Sequence, residues 1–246
     1  MTLLTKRCRL LLLVSSVLLL ASCRTLTVNE YAFTDILYEG TMNRIWVRIV
    51  SLSANRDKLA DRVDRSLKSE IAQGGTYDKA FRTQAEFVES ARSALLTKPA
   101  AVTLGNTIYF TRDRYAADFA QGYPREIMVN DLALLAHELM HVWQHQNRKQ
   151  TGYSLLKVAS EHLAYKDPYD YRLRPGKSFL SYRYEQQAEI VECYVVLRFL
   201  DRTSVAYRRH RDQIAEVLDL EDLNETLERF GVSGKAQKGK SCQDRI

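Results

Sequence analysis

The chain has no internal repeat, no low-complexity linker and no apolar run long enough to span a bilayer. The first two absences exclude a solenoid or a string of tethered modules, so its 246 residues read as one domain with room for a sizeable core. A concentrated basic surface is missing too. Half of the formal net charge of +6 comes from Lys6, Arg7 and Arg9, and the other half from the stretch beyond Gly231, where Lys235, Lys238, Lys240 and Arg245 outweigh Asp244. The middle is near neutral, which argues against a nucleic-acid partner.

Cysteine is scarce, and its four positions carry information. Basic residues 6, 7 and 9 precede the apolar run Leu10 to Leu20, whose length suits a signal-peptide core and not a membrane span. The exit, Leu20-Ala21-Ser22-Cys23, resembles the lipobox of bacterial lipoproteins. We therefore expect a signal peptide over 1–22 and acylation of Cys23, with the membrane contacted through that lipid; more than one acyl chain gives stable anchoring. Arg24 stands where an aspartate would resemble an inner-membrane retention signal, so the expected place is the cell envelope, at the outer membrane facing the periplasm. Cys8 leaves with the leader. Cys193 falls in an expected helix and Cys242 in a polar tail, so the expectation is a free buried thiol at Cys193. Residues 23–230 form the expected folded domain and 231–246 a disordered basic tail.

Along the chain, Thr27-Val28-Asn29-Glu30 reads as a capping box opening a short helix, and Arg44 to Val50 alternates like a strand. Two charged amphipathic helices should follow, one from Asn55 stopped by Gly74-Gly75, the other from about Asp78 to Leu96. Ala101 to Phe110 reads as one strand with Val102, Leu104, Ile108 and Phe110 on a shared face and Gly105 at a bulge. Asn130 is the expected N-cap of the next helix. Helices are further expected from Tyr153 to Tyr165, from Ser181 to Leu200, and in two segments after Arg202.

The chemistry lies in HELMHVWQHQ, His137 to Gln146. On a helix, His137 and His141 project from one side and can grip one metal ion, while Glu138 flanks it, placed to take a proton from water there. A catalytic zinc site usually has three protein ligands. Three candidates compete for the third. His145 lies about 12 Å of helical rise from His137, too far to share a tetrahedral ion. The metzincin pattern needs a glycine and a histidine where this chain has Gln144 and Asn147. The remaining candidate is Glu185, with Glu189 one turn on to accept a hydrogen bond from the free ring nitrogen of a ligand histidine. Glu185, Glu189 and Glu192 share one stripe of a helix that is otherwise apolar. His162, alone on an amphipathic helix, reads as structural. Tyr171, Tyr182 and Tyr184 are candidate oxyanion stabilisers.

HELMH followed by EQQAE resembles the gluzincin arrangement, in which a helix bearing H-E-x-x-H meets one bearing E-x-x-x-D or a close variant. More narrowly, LTVNE, VRIV, AVTLGNTIYF, LLAHELMHVWQHQ and YEQQAEIV, in this order, resemble the zinc-peptidase core domain of bacterial proteins linked to contractile injection systems and of Vgr-related proteins. The resemblance implies an α+β fold, mostly helical and zincin-like, with a small sheet beside the H-E-x-x-H helix. It implies Zn2+ as cofactor, hydrolysis of a peptide or protein substrate with Glu138 as general base, and a strand beside the metal that holds substrate by strand addition, for which Gly105, Asn106 and Thr107 are the candidates. A reading of another class keeps the zinc and drops catalysis, leaving an envelope lipoprotein that acts as a binding or assembly module. Action on a peptidoglycan amide is not separated from proteolysis by the motif.

Overall fold

Thr27 opens the first helix by accepting from the Glu30 N–H, and the Glu30 carboxylate accepts from the Thr27 N–H, so the capping box closes. In the computed structural model, which describes residues 23–52, 55–97, 100–231, 233–235 and 242–245, strand β1 (Cys23–Arg24) precedes this helix, α1 (Val28–Leu37). The expected signal peptide, 1–22, lies outside the described residues. A 3-10 turn at Arg44–Trp46 takes the first half of the strand expected there, and β2 covers Arg48–Ser51. Ile45 and Trp46 stay exposed, so no core holds that half extended. Helix α2 (Arg56–Ala72) follows, and α3 (Gln84–Thr97) starts later than Asp78 because Thr83 accepts from the Glu86 N–H and caps it.

The expected single strand from Ala101 to Phe110 is a hairpin of β3 (Ala101–Leu104) and β4 (Thr107–Phe110). Gly105 has φ +64° and Asn106 has no positive φ, the pattern of a two-residue turn with glycine first. The turn changes which residues share a face. Pairing Val102 with Tyr109 puts Val102 and Leu104 on one side of the sheet, with Ile108 and Phe110 on the other. Strand β5 (Glu126–Met128) runs into α4 (Val129–Gln146), whose N-cap is Met128, so Asn130 lies inside the helix. After a helical turn at Arg148–Thr151 come α5 (Leu155–Ala164), a 3-10 turn at Phe179–Ser181, α6 (Tyr184–Leu200), α7 (Val205–Ile214), α8 (Glu221–Arg229) and β6 (Ser233–Lys235).

The fold is α+β. Its main sheet has the order β1-β2-β4-β3, antiparallel except for the β2–β4 pair, which leaves β3 at an edge. One face, with Ile49, Ile108 and Phe110, packs into the core that holds α1, α4 and α6. The other, with Val50, Val102 and Tyr109, packs into a second core with α2, α3 and α5. Among the described residues no helix is long and apolar enough to cross a membrane.

The tail departs from expectation. Ser233–Lys235 pairs in parallel with β5, and Cys242 is bonded to Cys193 of α6, with Cα atoms 5.5 Å apart, so Cys193 is not a free thiol. Both cysteines are buried, and the apolar cover that draws the tail back onto α6 was not visible as a local pattern. A cross-link over 49 residues restricts the unfolded chain by roughly 4 kcal/mol in the loop-entropy account.

Candidate metal centre

Helix α4 presents His137 and His141 one turn apart, with ring centroids 5.1 Å apart, and packs along α6, which carries Glu185 in its first turn. Glu185 Oε2 lies 3.5 Å from His137 Nε2 and 3.3 Å from His141 Nε2. A tetrahedral ion with bonds of about 2.0–2.1 Å has ligand–ligand edges of about 3.3–3.4 Å, so two of the three edges have the size a zinc ion requires. The donors are 5–6 % exposed.

The far sides of the rings determine which nitrogen is free. His137 Nδ1 donates to Glu192 Oε2 at 2.9 Å. His141 Nδ1 donates to Gln144 Oε1 at 2.9 Å. Gln144 cannot be turned round, because its Nε2 donates to the Tyr184 carbonyl and to Gln187 Oε1, and Gln187 in turn donates to the Tyr182 carbonyl. With both Nδ1 atoms donating, Nε2 is on each ring the nitrogen that can give up its proton to a cation, and the set His137, His141 and Glu185 can hold a divalent cation. The other oxygen of Glu185 accepts from His162 Nε2 at 2.9 Å.

Burial opposes charge on Glu185, yet attraction to His141 and hydrogen bonds from His137, His141 and His162 hold its pKa well below the usual carboxylate range. Burial likewise opposes charge on His137, but its hydrogen bonds to Glu185 and Glu192 outweigh that and raise it well above an ordinary imidazole. Glu138 is raised, chiefly by burial, against the lowering effects of His137, His141 and Thr103. Thr103 on β3 donates to Glu138 Oε2 at 2.7 Å, which aims the carboxylate.

Several expected residues stand elsewhere. Glu189 lies 3.9 Å from His137 Nδ1, too far for the orienting hydrogen bond; that bond is made by Glu192, a second turn along the stripe. Tyr171 donates to His210, Tyr184 donates to the Gly152 carbonyl, and Tyr182 accepts from the Arg174 N–H, so none of the three faces the metal site. Tyr153 and Tyr169 line the pocket instead, with Tyr169 at 5.9 Å from His137 and 6.0 Å from His162 between ring centroids. Gly105, Asn106 and Thr107 are not at the pocket. Asn106 is tied to Arg48 and Gln146, and Thr107 belongs to the interior strand β4, while the edge strand β3 brings Ala101, Val102 and Thr103 to the site. His145 lies beside Gly105 and Tyr153, outside the donor set.

His162 is more than a core histidine. Its place at four and seven residues after Val158 and Leu155 put it on the buried stripe of α5, a signal that was readable. Gln144, three residues after His141, was readable in the same way. Tyr169 sits in an irregular segment, where no local pattern announces a direction.

Comparison with known proteins adds the following. Residues 82–149 match the eCIS core domain family, a stretch that runs from α3 through His137, Glu138 and His141 and ends before Glu185. Over 89 residues, 35% of this chain, the sequence is 37% identical to the type VI secretion system spike protein VgrG2b of Pseudomonas aeruginosa, and that stretch is 8% of the spike protein. The structure of the effector domain of Pseudomonas aeruginosa VgrG2b aligns over 80% of this chain and 84% of that one, with a TM-score of 0.45 and 21% identity. The chain is thus similar to contractile-injection and Vgr-related proteins in part of its length.

Proposed function

We propose that this chain is a mononuclear zinc peptidase of the gluzincin type, with His137, His141 and Glu185 as ligands and Glu138 as general base. The observation that carries the reading is Glu185 Oε2 at 3.5 and 3.3 Å from the two Nε2 atoms whose tautomers the opposite ring nitrogens fix. Held by His137, His141 and Glu185, zinc would supply Lewis acidity, polarising a carbonyl and lowering the pKa of its water to about 7.

The side chains supply the rest. Glu138, buried and raised in pKa, accepts the proton of the attacking water and delivers it to the leaving amine. Thr103 holds that carboxylate in one orientation. Tyr169, with its phenol kept protonated by burial and by the negative charges of Glu185 and Glu138, is a donor for the developing oxyanion. The free edge of β3 at Ala101–Thr103 takes an extended peptide as an added strand.

In this reading the substrates are peptides or proteins. In the same reading Cys23, exposed and unpaired among the described residues, carries the lipid that holds the protein at the outer membrane. Arg24 behind it is clamped by Glu30 at 2.6 and 2.8 Å, so the anchor joins the domain without a flexible spacer.

The test is Glu138→Gln. One zinc per chain should remain while cleavage of a peptide library falls by about 10²–10⁴-fold. Parent-like turnover in that variant removes the general base. A parent chain that binds zinc but yields no product at any pH, with or without chelator, leaves the binding module as the better reading.

A further inference from the structure

The described end of the tail bears on the metal site. Cys242 and Arg245 reach α6 and the segment between α5 and α6, while Gln243 donates to Asp201 just past the end of α6. Cys242 is bonded to Cys193, one residue beyond Glu192. The Arg245 carbonyl accepts from the Leu173 N–H at 2.9 Å, and Arg245 Nη1 donates to the Tyr169 carbonyl at 3.2 Å. The guanidinium also lies 5.0 Å from the Tyr171 ring centroid, 3.9 Å from Asp170 and 3.7 Å from Glu189 of α6, a carboxylate with no exposure. Residues 169–173 are thus bracketed at both ends by one tail residue, and the side chain set by that bracket is Tyr169, which faces His137 and His162 across the pocket.

We propose that Arg245 is a positioning residue of the metal centre: held to α6 by the Cys193–Cys242 bond, it fixes Tyr169 over the site, so the oxidised chain has a complete centre and the reduced chain does not. This rests on the peptidase reading for Tyr169 as oxyanion donor. The bracket itself does not. Glu189 fits the same scheme, since its carboxylate supplies the buried countercharge that draws the guanidinium inward. Forming the bond removes two electrons and two protons from the two thiols and passes them to a disulfide-exchanging oxidant, which leaves as a dithiol. In a reducing compartment the tail loses its covalent tie to α6, and the pocket wall it supports loosens.

The experiment uses the full chain loaded with zinc, comparing the parent with Arg245→Gln, Arg245→Lys and Cys242→Ser. Amide exchange over 167–173 should quicken roughly tenfold or more in Arg245→Gln and Cys242→Ser, since local opening is what exchange reports. Zinc should stay at one per chain in all four. Peptide cleavage should lose roughly tenfold or more in kcat with KM nearly unchanged, because Tyr169 is displaced from the reacting carbonyl and the substrate strand is not. Arg245→Lys, which keeps a cation and a donor, should recover part of both effects. Unchanged exchange over 167–173 in both Arg245→Gln and Cys242→Ser overturns the proposal, as does unchanged kcat in variants that cleave. If neither the parent nor any variant cleaves, quickened exchange still supports the bracket, while the peptidase reading alone falls.

Discussion

On one side of the sheet, α2, α3 and α5 meet through Leu59, Val63, Leu67, Phe87, Val88 and Leu155, an apolar layer whose charges point outward. On the other side, α4 and α6 bury His137, Glu138, His141, Gln144, Glu185, Gln187 and Glu189 along one seam. The apolar layer has one buried imidazole, His162, and it reaches across to Glu185. Apolar contacts are non-directional, so the first layer is stable with any well-packed set of side chains of similar volume. Each buried polar group in the seam needs a partner at a given angle, and leaving one unsatisfied costs about 1–3 kcal/mol. The seam is therefore the less replaceable half.

Four changes sharpen or break this contrast. Glu185→Ala should abolish stoichiometric zinc binding, measured by metal analysis after dialysis, with the circular dichroism of the helices retained; zinc held at one per chain would remove Glu185 as ligand. Leu67→Ala, in the apolar layer, should lower unfolding free energy by about 2–5 kcal/mol while zinc affinity stays at the parent value. A matching drop in affinity would mean that the two layers are not separable. Glu192→Ala and Gln144→Leu should each weaken zinc binding by about 10–100-fold, since each frees one imidazole to turn. Competition against a chelator reads this, and parent-like affinity in both would show that the rings are held by packing alone.

The smallest effect concerns His210, whose pKa burial lowers to about 4, with Arg245 adding to the shift and the bond to Ala206 opposing it. The folded chain refuses a proton that the unfolded chain accepts, so stability is full above the ordinary imidazole value of about 6.5 and is lost as pH falls from there toward 4. His210→Gln keeps a donor for Ala206 and an acceptor for Tyr171, and should flatten that part of the melting-temperature profile. Identical slopes for both proteins would assign the loss to other groups.

How much of this was legible depended on distance along the chain. The capping box at Thr27, the helical runs and the one-turn spacing of His137 and His141 are local, and the periodicity of the side chains carries them. Gly105-Asn106 was legible as a hairpin turn as well, but a run of apolar residues on both flanks favoured a single strand. The bond between Cys193 and Cys242 was not legible, because two cysteines 49 residues apart show nothing of the angle at which their segments meet. The role of Glu192 lay between these cases: its stripe was visible, its rank on the stripe was not.

By itself, the order of residues determined the elements and the inventory of groups on each face, since backbone geometry places side chains at fixed intervals within a helix or strand. Only tertiary structure decided that Glu192 and not Glu189 steadies His137, that Tyr169 and not its neighbours looks onto the pocket of His137 and His162, and that β3 lies at the edge. Those outcomes are set by how segments far apart in the chain pack against one another, not by the spacing within any one of them.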